Sequence, residues 1–263
     1  MLPQEYSVDG KTVIITGAAR GIGKGIARVL AAAGARVMVT ALTDRYLEPL
    51  ARQMAAQGHP IETLAADATD ADGWRRTIDL AMDRWGHVDA LVNNLGDAIR
   101  KPLVRLPDSS GGDPMTEQEW RDVMDINLTQ AFLGCRAVGA HFIERRKGRV
   151  VNISGFAARK GSPGTLAYAT AKAGLVRLTQ TLALEWAPYG ITVNSIAPGM
   201  FPDPETGDAD QVAASRERAI STIPLGRVGE LREVGLLALY LVSDASAYMT
   251  GETLYLDGGL SHA

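Results

Sequence analysis

The chain has 263 residues, of which 46% are hydrophobic and 22% are charged, and its 27 basic and 30 acidic side chains give a formal net charge of −3. This composition excludes an intrinsically disordered chain, which combines low hydrophobicity with high net charge, and 28 glycines with 12 prolines are too few for a collagen-like chain. A chain of this length can bury one large core, so we predict a single α/β domain over residues 1–263.

The charges and the cysteine content indicate which partners to expect. Scattered lysines and arginines on a slightly acidic chain argue against nucleic acid, whose phosphates favour a basic face. The single cysteine, Cys135, cannot form an internal disulfide, and the four histidines lack the spacing of metal ligands. The first residues lack the basic start and apolar run typical of a signal peptide, and no run approaches about 18 apolar residues. We therefore expect a cytoplasmic protein that binds a small molecule. We expect neither a metal site nor a membrane partner.

Short runs rich in β-branched residues alternate with longer segments of helical spacing. The predicted strands are 12–16, 36–40, 61–65, 88–92, 149–153, 191–196 and 253–256. The predicted helices are 23–33, 45–57, 74–85, 116–145, 166–187 and 230–243. Apolar strands that are each followed by a helix predict a parallel sheet with helices on both faces.

The position of a ligand follows from this arrangement. In open parallel sheets, ligands bind beyond the carboxyl ends of the strands, near the point where the strand order reverses. Long irregular segments in a compact domain usually carry function. We therefore expect substrate loops near residues 97–114 and 198–222.

A glycine-rich turn follows the first predicted strand and opens the first helix, with Gly17, Gly21 and Gly23 in the spacing G-x-x-x-G-x-G. Glycines let backbone N–H groups approach a phosphate, and the helix N-terminus contributes about half a positive charge. A Walker loop is excluded because Lys24 is followed by Gly25, and the fingerprint G-x-G-x-x-G fails at Ile26. An ordinary strand-to-helix turn is the alternative, which the position after the first strand disfavours.

Tyr168 and Lys172 are four residues apart on a predicted helix. This spacing places both side chains on one face, with Cβ atoms about 5–6 Å apart. A cation within about 4–6 Å lowers the pKa of a phenol, which can then exchange a proton with an alcohol or a carbonyl group at neutral pH. The pair is informative only in combination with other motifs.

Several such motifs occur in one order. They are the glycine turn at 16–23, NNLG at 93–96, Asn127, VNIS at 151–154, Tyr168 with Lys172, PG at 198–199 and DGG at 257–259. With them, residues 11–259 resemble the short-chain dehydrogenase/reductase family, and within it the NADPH-dependent 3-oxoacyl-[acyl-carrier-protein] reductase type of ketoreductase. The resemblance implies a Rossmann-type, doubly wound sheet of about seven strands, reversible hydride transfer with a nicotinamide nucleotide, and a homotetramer.

The resemblance also implies roles for single residues. Tyr168 would be the general acid and base, Lys172 would lower its pKa and bind the nicotinamide ribose, Asn127 would hold a proton-relay water, and Ser154 would orient the substrate carbonyl. The implied cofactor-binding residues are Gly17, Arg20, Gly21, Ile22, Gly23, Ala41, Asp67, Ala68, Asn94, Gly96, Tyr168, Lys172, Pro198 and Gly199.

Two positions depart from the family pattern. Leu95 stands where the asparagine motif has a small alanine, and we expect it to crowd the nucleotide. Counted back from Tyr168, the serine position falls on Gly155, one residue after Ser154. A shift of one residue along a strand reverses the side-chain direction. Either the backbone bulges and Ser154 still reaches the carbonyl, which we favour, or the hydroxyl is missing.

The choice of cofactor can be argued from charge. A carboxylate at the end of the second strand would bind a ribose 2′-hydroxyl, but it repels a 2′-phosphate. The second strand ends near Ala41 without an acid, and Arg20 lies in the glycine turn. We therefore predict NADP(H) rather than NAD(H). Asp44 is the counterargument, and we favour its alternative interpretation as a helix N-cap.

The substrate and one alternative function remain open. Arg100, Lys101 and Arg105 in the loop at 97–114 could bind an anionic or acyl-carrier substrate, or the loop could simply be solvated. We predict an oxidoreductase that transfers hydride between NADP(H) and a ketone or secondary alcohol. The alternative is an NADP(H)-binding sensor or assembly protein of the same fold whose catalysis is impaired at Gly155.

Overall fold

A computed structural model describes residues 3–107, 112–203, 205, 217 and 220–263. Within these residues, seven strands form one parallel sheet in the order β3-β2-β1-β4-β5-β6-β7. The strands are β1 Thr12–Thr16, β2 Arg36–Ala41, β3 Glu62–Ala65, β4 Ala90–Asn93, β5 Gly148–Ile153, β6 Ile191–Pro198 and β7 Thr253–Leu256. All seven predicted strands are confirmed, two of them with the predicted bounds and five with ends shifted by one or two residues.

The helices lie between these strands. They are α1 Gly21–Ala32, α2 Asp44–Ala56, α3 Ala71–Trp85, α4 Glu117–Met124, α5 Gln130–Arg145, α6 Leu166–Trp186 and α7 Leu231–Val242. The strand order reverses between β1 and β4, which are neighbours in the sheet. The predicted ligand position, beyond the carboxyl ends of the strands, therefore lies above this pair.

The prediction of one uninterrupted helix over residues 116–145 is wrong. A π-helical turn, Asp125–Thr129, separates α4 from α5. Asn127 lies in this turn, and its side-chain amide donates to the carbonyl oxygens of Val123 at 2.8 Å and of Asp97 at 2.7 Å. A single π-turn within an α-helix is rare and is frequent at functional sites. Here it turns the Asn127 side chain towards the loop that follows β4.

Helices cover both faces of the sheet, as predicted. Along β1, Val13 and Ile15 pack into one apolar cluster with residues of α1, α2 and α7. Ile14, between them, packs into a second cluster with residues of α3, α5 and α6. Alternate side chains of one buried strand thus enter opposite cores, which explains the uniformly apolar sequence of the strand. None of the described helices is long and apolar enough to cross a bilayer.

Candidate active site

The glycine turn and the loop after β4 are joined by hydrogen bonds at the switch point of the sheet. The Thr16 hydroxyl accepts from the backbone N–H groups of Asn94 at 3.1 Å and Leu95 at 3.3 Å. The Asn94 amide in turn donates to the carbonyl oxygens of Thr16 and Gly17, at 2.9 and 3.1 Å. A Cβ atom on Gly23 would lie only 2.5 Å from this amide nitrogen. The two loops therefore form one preorganised edge of the cleft.

Leu95 packs closely against the glycine turn. Gly17 has a φ of +60°, and a Cβ atom on it would lie 2.9 Å from the Cα atom of Leu95. The side chain of Leu95 also packs against the apolar cluster of α3, α5 and α6. The larger residue is thus accommodated by glycine at position 17 and by the core.

The glycine turn holds an anion supplied by the chain itself. The Asp203 carboxylate accepts from the N–H of Gly21, the first residue of α1, at 2.7 Å, and the Lys24 ammonium lies 2.8 Å from it. Burial opposes the charge on Asp203, but hydrogen bonds from Lys24, Gly21 and Glu205 outweigh it, so its pKa lies below the ordinary value. The turn at the start of α1 is therefore an anion site, which is the property a dinucleotide pyrophosphate needs.

Two arginines flank the end of β2. The guanidinium of Arg20 lies 5.6 Å from the centre of the Tyr46 ring, and that of Arg45 lies 5.0 Å from it. Ala41 is the last residue of β2. The interpretation of Asp44 as an N-cap is wrong by one residue, because Thr43 precedes the helix and Asp44 is its first residue. Sequence reasoning missed Arg45, which is adjacent to the acid it considered.

The Lys172 side chain lies near both Tyr168 and Asn127, next to Gly96. The Lys172 ammonium lies 5.6 Å from the centre of the Tyr168 ring and donates to the carbonyl oxygen of Ile153 at 2.9 Å. A Cβ atom on Gly96 would lie 2.6 Å from Asn127 Oδ1 and 2.9 Å from Lys172 Nζ. Asn127 Oδ1 is buried and has no protein hydrogen-bond partner among the described residues. An orphaned buried acceptor at this point is suited to a bound water.

The protonation of this group differs from the expectation. Burial raises the pKa of Tyr168, the charge of Asp97 raises it further, and Arg100 lowers it in part. Burial also lowers the pKa of Lys172 to about 8. The net shift of the Tyr168 pKa is therefore opposite to the expected lowering, because the cost of desolvating a phenolate dominates. That Lys172 itself favours the phenolate stays a prediction.

The structure also corrects the expectation that Ser154 reaches the carbonyl group of the substrate. The Ser154 hydroxyl is buried, lies 2.7 Å from the hydroxyl of Ser195 on β6, and donates to the carbonyl oxygen of Ile196 at 3.2 Å. The next residue, Gly155, has a φ of +148°, and a Cβ atom on it would lie 3.5 Å from the Tyr168 oxygen. The position beside the phenol thus belongs to Gly155, as the alternation of side chains along a strand requires.

The other residues predicted for the nucleotide lie along the same edge. Asp67 accepts from the backbone and hydroxyl of Thr69, at 2.8 and 2.7 Å, and Ala68 follows it. Pro198 ends β6, and a Cβ atom on Gly199 would lie 2.7 Å from the Cα atom of Asp257. Ile22, in the first turn of α1, is half-buried against the first apolar cluster.

The predicted substrate loops are described only in part. Residues 108–111, 204, 206–216 and 218–219 lie outside the described residues. In the loop after β4, Lys101 donates through its backbone to the carbonyl oxygen of Gly164 at 3.0 Å and pairs with Glu119. Arg105 pairs with Asp113 at 2.9 Å. Two of the three cations proposed for an anionic substrate are therefore neutralised by the chain itself.

Comparisons with known proteins agree with this geometry. A family model described as enoyl-(acyl carrier protein) reductase matches residues 17–261. The chain is 36% identical over 255 residues to the 3-oxoacyl-[acyl-carrier-protein] reductase FabG of Thermotoga maritima, which covers 96% of this chain and 98% of that protein. The Escherichia coli protein of the same name is 35% identical over 254 residues, with 96% and 98% covered.

A solved structure also matches the fold of the chain. A gluconate 5-dehydrogenase from Burkholderia cenocepacia, in complex with NADP and tartrate, superimposes with a TM-score of 0.85 and 32% identity over 98% of each chain. The predicted family, the doubly wound sheet and the reaction class are confirmed by these matches. The chain belongs to the short-chain dehydrogenase/reductase family of nicotinamide-dependent oxidoreductases.

Proposed function

We propose that the chain is an NADP(H)-dependent reductase of ketones and dehydrogenase of secondary alcohols, in which Tyr168 exchanges the proton. The observation that carries the proposal is the placement of Lys172 near both Tyr168 and Asn127, next to Gly96 in the loop that is bonded to the glycine turn. An NADP(H)-binding sensor remains the alternative of a different class, and no observation favours it.

The residues along the cleft fit a nicotinamide nucleotide. Gly21 and Lys24 already bind a carboxylate, so they can bind a pyrophosphate, and Gly96 keeps open the space beside Asn127 and Lys172. Asp67 and Ala68 would hold the adenine, and Lys172 would hold the nicotinamide ribose. When bound, the nucleotide supplies or accepts the hydride.

Tyr168 is suited to donate a proton in the reductive direction. Its raised pKa keeps the phenol protonated at neutral pH, so that it can hydrogen-bond to a carbonyl oxygen and release its proton as negative charge develops there. Lys172, with a pKa of about 8, lies close enough to stabilise the phenolate that this transfer leaves. A water on Asn127 Oδ1 would connect the buried lysine with solvent.

The preference for NADP(H) rests on the arginines at the end of β2. Arg20 and Arg45 place two guanidinium groups around Tyr46, next to a strand end without a carboxylate. A 2′-phosphate carries up to two negative charges, which this pair can bind with charge-assisted hydrogen bonds. The Burkholderia relative, which has the same fold, was solved with NADP.

Three further properties belong to the proposal. We propose a small carbonyl or alcohol substrate, in keeping with the reductases and dehydrogenases to which the chain is similar. We also propose that the protein acts in the cytoplasm and assembles as a homotetramer.

The activity is tested by the oxidation of NADPH with a panel of ketones and 3-oxoacyl thioesters. Tyr168→Phe is expected to lower kcat by about 10²–10⁴, the usual contribution of a general acid, with nucleotide binding retained. Tyr248→Phe, which changes a fully exposed phenol, is the matched control. Tight NADPH binding without turnover of any substrate would support the sensor and reject the enzyme.

The cofactor preference is tested separately. Arg20→Ala is expected to raise the KM for NADPH at least about tenfold while changing the KM for NADH little, because only NADPH presents the 2′-phosphate. Arg52→Ala, on the same helix as Arg45 but paired with Glu48, controls for a general loss of positive charge. Equal effects of Arg20→Ala on both nucleotides would reject the assignment.

A further inference from the structure

Gly155 leaves an open position next to the reacting phenol. A Cβ atom placed there would lie 3.5 Å from the Tyr168 oxygen and 4.0 Å from the carbonyl oxygen of Pro198, and no other atom of the described residues outside its two chain neighbours lies within 4 Å. The backbone has a φ of +148° and a ψ of 160°, a conformation that only glycine adopts without strain. The chain is therefore built to leave this position without a side chain.

Among the described residues, the hydroxyl groups of Ser154, Ser162 and Thr165 are committed elsewhere. Ser154 is bonded to Ser195 and to the carbonyl oxygen of Ile196 in the sheet. Thr165 donates to the carbonyl oxygen of Ser162 at 2.7 Å, and the two hydroxyls lie 3.2 Å apart in the turn before α6. None of these three hydroxyls can move to the phenol without breaking a bond that the fold uses.

A carbonyl that receives a hydride needs more than one hydrogen-bond donor. Negative charge grows on its oxygen, and the loss of one preorganised donor costs about 10²–10³ in rate. Tyr168 supplies one donor, and the open position at Gly155 lies where a second would be useful. A substrate that brings its own donor into this position recovers the stabilisation that the side chain does not supply.

We propose that the substrate is a ketone with a hydroxyl group on the adjacent carbon, and that this hydroxyl occupies the position next to Gly155 and donates to the reacting oxygen. The inference rests on the proposed function. In the reduction, the carbonyl carbon gains a hydride from NADPH and the oxygen gains a proton from Tyr168. The adjacent hydroxyl donates a hydrogen bond but keeps its proton, so the product is a vicinal diol.

The polar entrance of the cleft suits such a substrate. Asp97 and Arg100, both exposed, lie close enough to Tyr168 for their charges to act on it in opposite directions. The backbone of Lys101, next to Arg100, is tied to the turn before α6. Hydroxyl groups can donate to this carboxylate and accept from this guanidinium, whereas an alkyl chain can do neither.

The test compares hydroxyacetone, methoxyacetone and butanone with the wild-type enzyme and NADPH. Methoxyacetone keeps the electron-withdrawing oxygen but carries one more methyl group and has no hydroxyl hydrogen to donate, whereas butanone has the same number of heavy atoms as hydroxyacetone but no second oxygen. We expect kcat/KM for hydroxyacetone to exceed that for methoxyacetone at least about tenfold, with butanone no better than methoxyacetone. Equal values for the hydroxy and methoxy ketones would overturn the inference but leave the proposed function standing. No turnover of any ketone would contradict both the inference and the proposed function.

A variant supplies the missing group from the protein. Gly155→Ser is expected to raise kcat/KM for methoxyacetone. The ratio of kcat/KM for hydroxyacetone to that for methoxyacetone should therefore move towards one. Gly155→Ala introduces the same backbone strain without a hydroxyl and should leave the ratio high. NADPH binding, followed by protein fluorescence, checks that each variant is folded. An unchanged ratio in a folded Gly155→Ser variant would contradict the inference, and if neither variant folds, the wild-type ratio alone decides it.

Discussion

Lys172 illustrates how the environment of one residue sets its chemistry. Its side chain is buried beside Tyr168 and Asn127, and burial lowers its pKa to about 8. Its ammonium donates to one backbone carbonyl, which offsets only part of the lost hydration. A lysine held in this way is charged at neutral pH yet close to neutralisation, which is useful next to a phenol that alternates between its neutral and charged forms.

The lowered pKa of Lys172 predicts a pH dependence of stability. Between pH 8 and its ordinary value of 10.5, the lysine binds a proton more readily in the unfolded chain than in the folded one. Stability therefore rises with pH through this window. We expect the free energy of unfolding of the wild type, relative to Lys172→Met, to increase from pH 8 to pH 10.5 by up to about 3 kcal/mol. Denaturant titrations at several pH values measure it.

The matched control for this pH dependence is Lys147→Met, because Lys147 is exposed. Both differences are taken against the wild type, so that the titration of Cys135, which is common to all three proteins, cancels. A difference for Lys172→Met that does not vary with pH would contradict the lowered pKa.

At the site, the sequence could predict contacts between residues that are close in the chain, but not contacts between residues that are far apart in it. Tyr168 and Lys172 could be paired because a spacing of four fixes two side chains on one helical face. The contact of Asp203 with Gly21 and Lys24 joins residues far apart in the chain, and no local pattern predicts it. The direction of Ser154 depends on its register with β6, which the sequence of β5 alone does not determine.

At the scale of elements, the strands were predictable and the interruption of a helix was not. Strands buried on both faces read as short apolar runs, so all seven could be located. The π-turn Asp125–Thr129 depends on the hydrogen bond from Asn127 to the carbonyl oxygen of Asp97, a tertiary contact. The apolar periodicity of residues 116–145 contains no sign of it.

Helices α1 and α7 approach each other closely through glycine. A Cβ atom on Gly25 would lie 2.5 Å from the carbonyl oxygen of Leu231, and one on Gly235 would lie 2.5 Å from Val29 Cγ2 and 2.8 Å from the carbonyl oxygen of Gly25. The distance between the two backbones is therefore set by the absence of side chains at these positions. Because α1 also carries the glycine turn, this contact positions the nucleotide edge of the cleft.

Gly235→Ala is expected to destabilise the protein by about 1–3 kcal/mol, the usual cost of forcing extra volume into a packed contact. The control is Gly174→Ala in α6, where the new Cβ atom would meet only the end of the Leu128 side chain at 3.0 Å. There the higher helix propensity of alanine, worth up to about 1 kcal/mol, offsets the contact. Thermal unfolding of both variants measures the difference, and a Gly235→Ala variant as stable as wild type would contradict the packing argument.

For the whole molecule, exposed apolar side chains indicate where copies of the chain could meet. Phe132 on α5 is 50% exposed, and Leu184 on α6 is 78% exposed. Both helices cover the same face of the sheet. Exposed apolar side chains that form a contiguous patch are typical of association surfaces, and these two side chains lie on helices that cover one face. We therefore expect this helical face to contribute to the proposed homotetramer.

Leu184→Glu tests this surface. A buried, unpaired carboxylate at an interface costs several kcal/mol, so the variant should have a smaller molar mass in solution than the wild type. Light scattering after size-exclusion chromatography measures the mass. Leu103→Glu, which changes a leucine 67% exposed in the loop after β4, is the control. A monomeric wild type, or a Leu184→Glu variant of unchanged mass, would contradict the expectation.

The contact between α1 and α7 also affects how the protein is made. Translation produces α1 among the first elements and α7 among the last, so the glycine surface of α1 has no partner until synthesis is almost complete. Domains fold as units during translation, and incomplete ones expose surface that chaperones bind. A nascent chain halted before residue 231 should therefore fail to retain NADPH, although it already contains the glycine turn and Tyr168.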